Sequence, residues 1–220
     1  MLVTFNEIKH NRTIRTYIEQ ADRSLKELSY TEHSFPHVTK AAHTAAMILT
    51  ELGYTPREAE LAKIAGFMHD IGNVINRIDH AQSGAIMAFR ILDHLGMDPE
   101  EIALVISAIG NHDEHTAAPV NPIAAALIIA DKTDVRRSRV RQRSDIETDI
   151  HDRVNYAVEE TKTYFNEDKT AFVLEMQIDT AICPVMDYFQ IFLERMALCR
   201  RAAKFLNVAF NLIINGQQIL

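Results

Sequence analysis

Leu61-Ala-Lys-Ile-Ala-Gly-Phe-Met-His-Asp-Ile-Gly72 is the stretch on which the fold turns. Leu61, Ile64, Ala65 and Met68 recur at helical spacing and form one apolar face. Thr55-Pro56, followed by Glu58 and Glu60, marks the start of this helix, and Gly72 marks its stop. The helix must bury its apolar face, yet it runs into His69 and Asp70. A charged carboxylate there is costly to bury unless something compensates it. Neighbouring side chains splay by about 100° on a helix, but at a helix end both can bend toward one ion. The dipeptide alone proves little. His151-Asp152 occurs in the same chain and reads as an ordinary helix start.

Upstream, Thr4 to Leu28 carries apolar residues near helical spacing, and Pro36 opens a helix from His37 to Leu52, stopped by Gly53. Downstream, Asp79 to Leu95 reads as a further helix closed by Gly96. Asp98-Pro99-Glu100-Glu101 is a strong helix start leading toward His112. Asn121-Pro122 repeats the device and launches Ile123 to Asp131. Arg136 to Arg143 is basic and expected to be exposed, and Asp145 to Tyr164 returns to helix. Then the character changes. Thr170 to Asp179 reads as a strand, Pro184 to Leu206 as a long amphipathic helix, and Val208 to Ile214 as a second strand before an Asn215-Gly216 turn. The expected architecture is mainly α, with a helical domain over 1–165. A small strand-helix-strand α+β appendage over 166–220 packs on the core or at a homodimer interface.

Composition narrows the function. The chain has 220 residues, of which 47% are hydrophobic and 24% charged, as in ordinary globular proteins. A net charge of -7 argues against nucleic-acid binding by overall electrostatics. The 2 cysteines, Cys183 and Cys199, form no Cys-x-x-Cys pair, which argues against a disulfide framework and a thiolate zinc site. Met1 to His10 shows no signal peptide, and no apolar run approaches the roughly 20 residues that span a bilayer. A cytoplasmic protein with no membrane partner is expected. The 10 histidines stand out, most of them between His33 and His115. Histidine is the commonest metal-ligating side chain.

Asp131 ends Ile123-Ala-Ala-Ala-Leu-Ile-Ile-Ala130, a run that looks buried on nearly every side. An aspartate there must be paired, capped or metal-bound. Lys132 is the local alternative partner. His37 lies in the first turn of its helix, where a lone histidine is more often structural. The weight comes from the set: His37, then His69-Asp70, then Asp131.

In that order the four residues resemble the HD superfamily of metal-dependent phosphohydrolases. His37-Val-Thr-Lys-Ala-Ala-His-Thr-Ala-Ala, Phe67-Met-His-Asp-Ile-Gly72 and Ile129-Ala-Asp-Lys132 are similar to three of its motifs, over about His33 to Arg143. The resemblance implies an HD-type helical core. It also implies a divalent metal held by His37, His69, Asp70 and Asp131, with His69 and Asp70 at the catalytic centre. Two-metal members, the HD-GYP phosphodiesterases and YqeK-like dinucleotide polyphosphate hydrolases, have histidines in places similar to His80 and His112. These would hold a second ion bridged by Asp70; the alternative is a helix-cap partner and a solvent-facing end residue. His33, where HD-GYP members carry glutamate, is a candidate ligand or phosphate contact, or merely exposed. Three departures separate the chain from HD-GYP: Asn73 replaces a lysine, His112-Asp113 replaces a double histidine, and no Gly-Tyr-Pro follows.

The expected function is hydrolysis of a phosphate ester or anhydride by metal-activated water. The substrate is a small molecule, a nucleotide or dinucleotide polyphosphate. The cofactor is one or two ions of iron, manganese, nickel, cobalt or zinc, all suited to imidazole and carboxylate. Lys132, Arg136 and Arg137 are candidate phosphate contacts, since guanidinium forks match phosphate oxygens. The alternative for this basic run is a solvated face paired with Asp145, Glu147, Asp149 and Asp152. The alternative for the whole chain is a non-catalytic HD-fold nucleotide-sensing or interaction module, using the Met186, Phe189, Phe192, Leu193, Met196 stripe.

Overall fold

The computed structural model describes residues 2–114, 116–141 and 150–220. His115, Arg143, Asp145, Glu147 and Asp149, named above, lie outside the described residues. The chain forms two compact units, Met1–Asp131 and Lys132–Leu220.

The first unit is helical. Thr4 and Glu7 make a reciprocal capping box for α1 (Phe5–His10). The single helix expected over Thr4 to Leu28 is two, because Asn11 leaves helical geometry and its side chain caps α2 (Arg12–Glu27) through Ile14 N–H. Ile14, Ile18, Ala21 and Leu25 form the buried face of α2. Prolines open the next helices, α3 (Phe35–Glu51) and α4 (Pro56–Met68), and α4 carries a second capping box between Thr55 and Glu58. A 3₁₀ turn, Ile71–Val74, follows directly. Asp79, in the left-handed region at φ 56°, turns the chain into α5 (His80–His94). Asp98 caps α6 (Pro99–Gly110), and Asn121 Oδ1 accepts from Ala124 N–H at the start of α7 (Pro122–Lys132). Every residue from Ile123 to Ala130 is buried.

Helices α3 and α4 pack at glycine distance. A Cβ at Gly66 would lie 2.7 Å from Ala42 Cα and 2.8 Å from Ala42 N. Two effects oppose each other in Gly66→Ala. Alanine favours the helix by up to about 1 kcal/mol. Forcing two backbones apart costs about 1–3 kcal/mol or more. The clash wins because the atoms met are main-chain and cannot rotate away. We expect a net loss of stability, read as a fall of several degrees in thermal midpoint; an unchanged midpoint would show that α3 and α4 separate freely.

The second unit carries the α+β part. The expected strand-helix-strand is present as β2 (Ala171–Ile178), α9 (Val185–Phe205) and β3 (Ala209–Ile214). Strands β2 and β3 run parallel, pairing Leu174 with Leu212, as a helical crossover requires. Two further strands flank them, giving the order β1-β2-β3-β4. The helix expected through Tyr164 ends earlier. Among the described residues α8 (Ile150–Ala157) gives way at Val158 to β1 (Val158–Phe165), which pairs antiparallel with β2, Thr163 opposite Leu174. Thr161, Thr163 and Phe165 favour the pleated surface that β2 offers. Strand β1 thus shares a sheet with β2 and β3. β4 (Gln217–Gln218) closes the turn after Asn215-Gly216. The buried face of α9 is Tyr188, Phe192, Met196 and Cys199; Met186 and Leu193, assigned to one stripe with Phe192, are exposed. Among the described residues no helix is long and apolar enough to cross a membrane.

Candidate metal centre

Helix ends supply the site. His37 sits in the first turn of α3, His69 caps the end of α4, and Asp70 opens the 3₁₀ turn. His80 is the first residue of α5, His112 follows the end of α6, and Asp131 lies in the last turn of α7. His37, His69, Asp70, His80 and His112 are buried, and the Asp131 side chain is 11% exposed.

The structure brings all six together. His37 Nε2 lies 3.3 Å from both His69 Nε2 and Asp131 Oδ1. Asp70 Oδ2 is 3.2 Å from His69 Nε2 and 3.6 Å from His37 Nε2. Its other oxygen faces the other pair, 3.5 Å from His80 Nε2 and 3.9 Å from His112 Nε2. Those two histidines are themselves 3.3 Å apart at Nε2. Three overlapping groups could hold an ion: His37, His69, Asp70; His69, His112, Asp131; and Asp70, His80, His112.

The imidazoles are oriented from behind. His69 Nδ1 is 2.8 Å from Gly66 O, His80 Nδ1 is 3.0 Å from Arg77 O, and His112 Nδ1 is 2.6 Å from Ile109 O. A carbonyl only accepts, so each Nδ1 carries the proton and donates it. In the neutral ring Nε2 is then a lone pair aimed into the cluster, the tautomer a metal ligand needs. Nε2 atoms facing each other at 3.3 Å repel unless a cation or proton lies between them.

Electrostatics point the same way. Burial raises the Asp70 carboxyl, but the charge of His69, with His33 and His80 behind, holds it well below the usual carboxylate range. Burial pushes His69 down, yet Asp70 and Asp131 outweigh it and leave the ring above its ordinary value. His80 stays below its ordinary value, chiefly through burial. Asp70 Oδ2 is buried with no hydrogen-bond donor. Oδ1 accepts from Asn73 Nδ2 at 2.9 Å. A buried carboxylate oxygen without a donor, facing imidazole lone pairs, fits a divalent cation in chemistry and geometry.

His33 stands beside the cluster, not in these groups. Its ring centroid is 5.4 Å from that of His37, and its Nδ1 donates to Thr31 O. Lys132, Arg136 and Arg137 belong to the second unit. Lys132 is buried; Arg136 donates to Asp134 Oδ1 at 2.9 Å; Arg137 donates to Tyr156 O and lies 4.7 Å over the Tyr156 ring. Sequence reading missed Arg77, whose Nη1 is 3.2 Å from His80 Nε2, and Asp113, whose Oδ1 is 3.9 Å from it. The orienting carbonyls are backbone and leave no mark in side-chain identity, although all stand three residues before their histidine.

The HD domain family model matches residues 34–136, which include all six residues of the cluster. Ribonuclease Y of Opitutus terrae is 30% identical over 116 residues, 53% of this chain and 20% of that protein. Ribonuclease Y of Bacillus pumilus is 32% identical over 113 residues, 51% of this chain and again 20% of the relative. The chain therefore spans about a fifth of the length of these relatives. A solved protein described as a predicted HD superfamily hydrolase, from an uncultured Thermotogales bacterium, is 25% identical with a TM-score of 0.45, covering 58% of this chain and 69% of that one. Residues 34–136 of this chain are an HD domain.

Proposed function

We propose that this chain is a metal-dependent phosphohydrolase acting on a phosphate ester or anhydride of a small molecule, a nucleotide or dinucleotide polyphosphate. The observation that carries the reading is Asp70, its two oxygens divided between the His37–His69 and His80–His112 pairs, with Oδ2 lacking a donor. A divalent cation bound there supplies Lewis-acid polarisation of a phosphoryl oxygen and acidifies water. His37, His69, Asp70 and Asp131 would hold one ion; His80 and His112, sharing Asp70, would hold a second. The protein's part is to keep Asp70 ionised, to fix the imidazole tautomers through the carbonyls behind them, and to limit water around a buried carboxylate. No protein nucleophile is required.

A screen of nucleotides, dinucleotide polyphosphates and a short RNA, with manganese, iron or nickel, tests the reading. The RNA is included because the ribonuclease Y relatives favour a phosphodiester as the second reading. Phosphate release that disappears in His69→Ala is the expected result. Full metal occupancy with no turnover of any substrate would favour the non-catalytic module instead.

A further inference from the structure

Arg77 lies between the 3₁₀ turn and α5, half-buried, three residues before His80. Its Nη1 donates to Asn73 Oδ1 at 3.3 Å and sits 3.2 Å from Nε2 and 3.5 Å from Nδ1 of His80. An atom that close to both ring nitrogens lies over the ring face, because an in-plane position at those distances would overlap the carbon between them. Nη1 therefore sits over the imidazole face and leaves the Nε2 lone pair directed at Asp70 and His112. The Tyr30 ring centroid lies 5.6 Å from the guanidinium carbon. Among the described residues, Arg77 Nε and Nη2 carry no hydrogen bond, and no carboxylate pairs with Arg77.

Asn73 explains why the cation stands here. Its Nδ2 donates to Asp70 Oδ1 at 2.9 Å and to Asp70 O at 3.0 Å, while its Oδ1 accepts from Arg77. The lysine of the HD-GYP pattern could only donate. An amide both braces Asp70 and holds a guanidinium four residues on. A positive charge beside a centre built for a cation is unfavourable unless an anion lies between them. The guanidinium fork has two donor nitrogens left, and phosphate oxygens match that geometry.

We propose that Arg77 is a substrate-binding residue that grips a non-bridging phosphoryl oxygen on the His80–His112 side of the centre. The inference rests on the phosphohydrolase reading above. Its test uses manganese-loaded full chain as wild type, Arg77→Ala and Arg77→Lys, with inorganic phosphate as the probe in calorimetry and metal content measured in parallel. Arg77→Ala is expected to keep its manganese and thermal midpoint while binding phosphate roughly 10- to 100-fold more weakly, the range for one lost charge-assisted contact. Arg77→Lys should recover part of the loss. Unchanged phosphate affinity in Arg77→Ala overturns the role, as does loss of manganese, which would make the contact with His80 merely structural. If wild type turns over nucleotides and Arg77→Ala does so equally well, only the role of Arg77 fails. If wild type takes up no manganese, or binds no phosphate when loaded, the phosphohydrolase reading fails with it.

Discussion

Asp70→Asn is expected to lower manganese affinity by more than about 100-fold while the helical fold persists. Residues that merely orient a metal ligand are worth about 10- to 100-fold in affinity, and Asp70 faces four imidazoles directly. The substitution removes the negative charge that both histidine pairs share, and it can turn an amide N–H toward lone pairs that need a cation. Asn73 can keep donating to the remaining side-chain oxygen, so the 3₁₀ turn has no reason to unravel. Metal content after dialysis, with circular dichroism as the fold control, checks the expectation. A variant that holds as much manganese as wild type would refute Asp70 as the shared ligand and remove the main support for the proposed function.

The second large effect is expected at Gly72. A Cβ there would lie 2.0 Å from His80 O, 2.5 Å from Gly84 N and 2.7 Å from Ser83 Oγ. Two of those atoms are backbone, so rotamer changes cannot relieve the contact. Gly72→Ala must push the 3₁₀ turn, which follows Asp70, away from the first turn of α5, which carries His80. Overpacking typically costs about 1–3 kcal/mol and occasionally more; a main-chain overlap this deep belongs at or beyond the upper end. The expected outcome is a large fall in thermal midpoint and, in whatever protein stays folded, loss of metal from the His80–His112 side first. Gly110→Ala is the matched control. Its Cβ would meet only Ala85 Cβ at 3.6 Å, an ordinary contact, so stability should hold or rise slightly. Equal behaviour of the two variants would show that the close approach at Gly72 has no role in building the site.

Much of this was legible in sequence because it is local. Pro36, Pro56, Pro99 and Pro122 each stand at a helix start, and Thr55, Asp98 and Asn121 each cap one, because capping chemistry acts within a few residues. The run Ile123 to Ala130 announced a buried helix, and Asp131 at its end announced a polar group in need of a partner. One local expectation failed where tertiary pairing prevailed. Val158 to Phe165 became strand because β2 was there to receive it. Propensity is weak enough to be overruled in this way.

The residue types of the candidate centre, their order, and their placement at helix ends belong to the sequence alone. Which atoms meet belongs to the tertiary structure. The division of Asp70's oxygens between two histidine pairs, the carbonyls behind His69, His80 and His112, and Arg77 over the His80 ring all depend on helix ends separated by tens of residues arriving at one point. That convergence is set by close contacts such as Gly66 on Ala42 and Gly72 on His80. Local propensity carries no information about such distances, because they arise only when the helices pack.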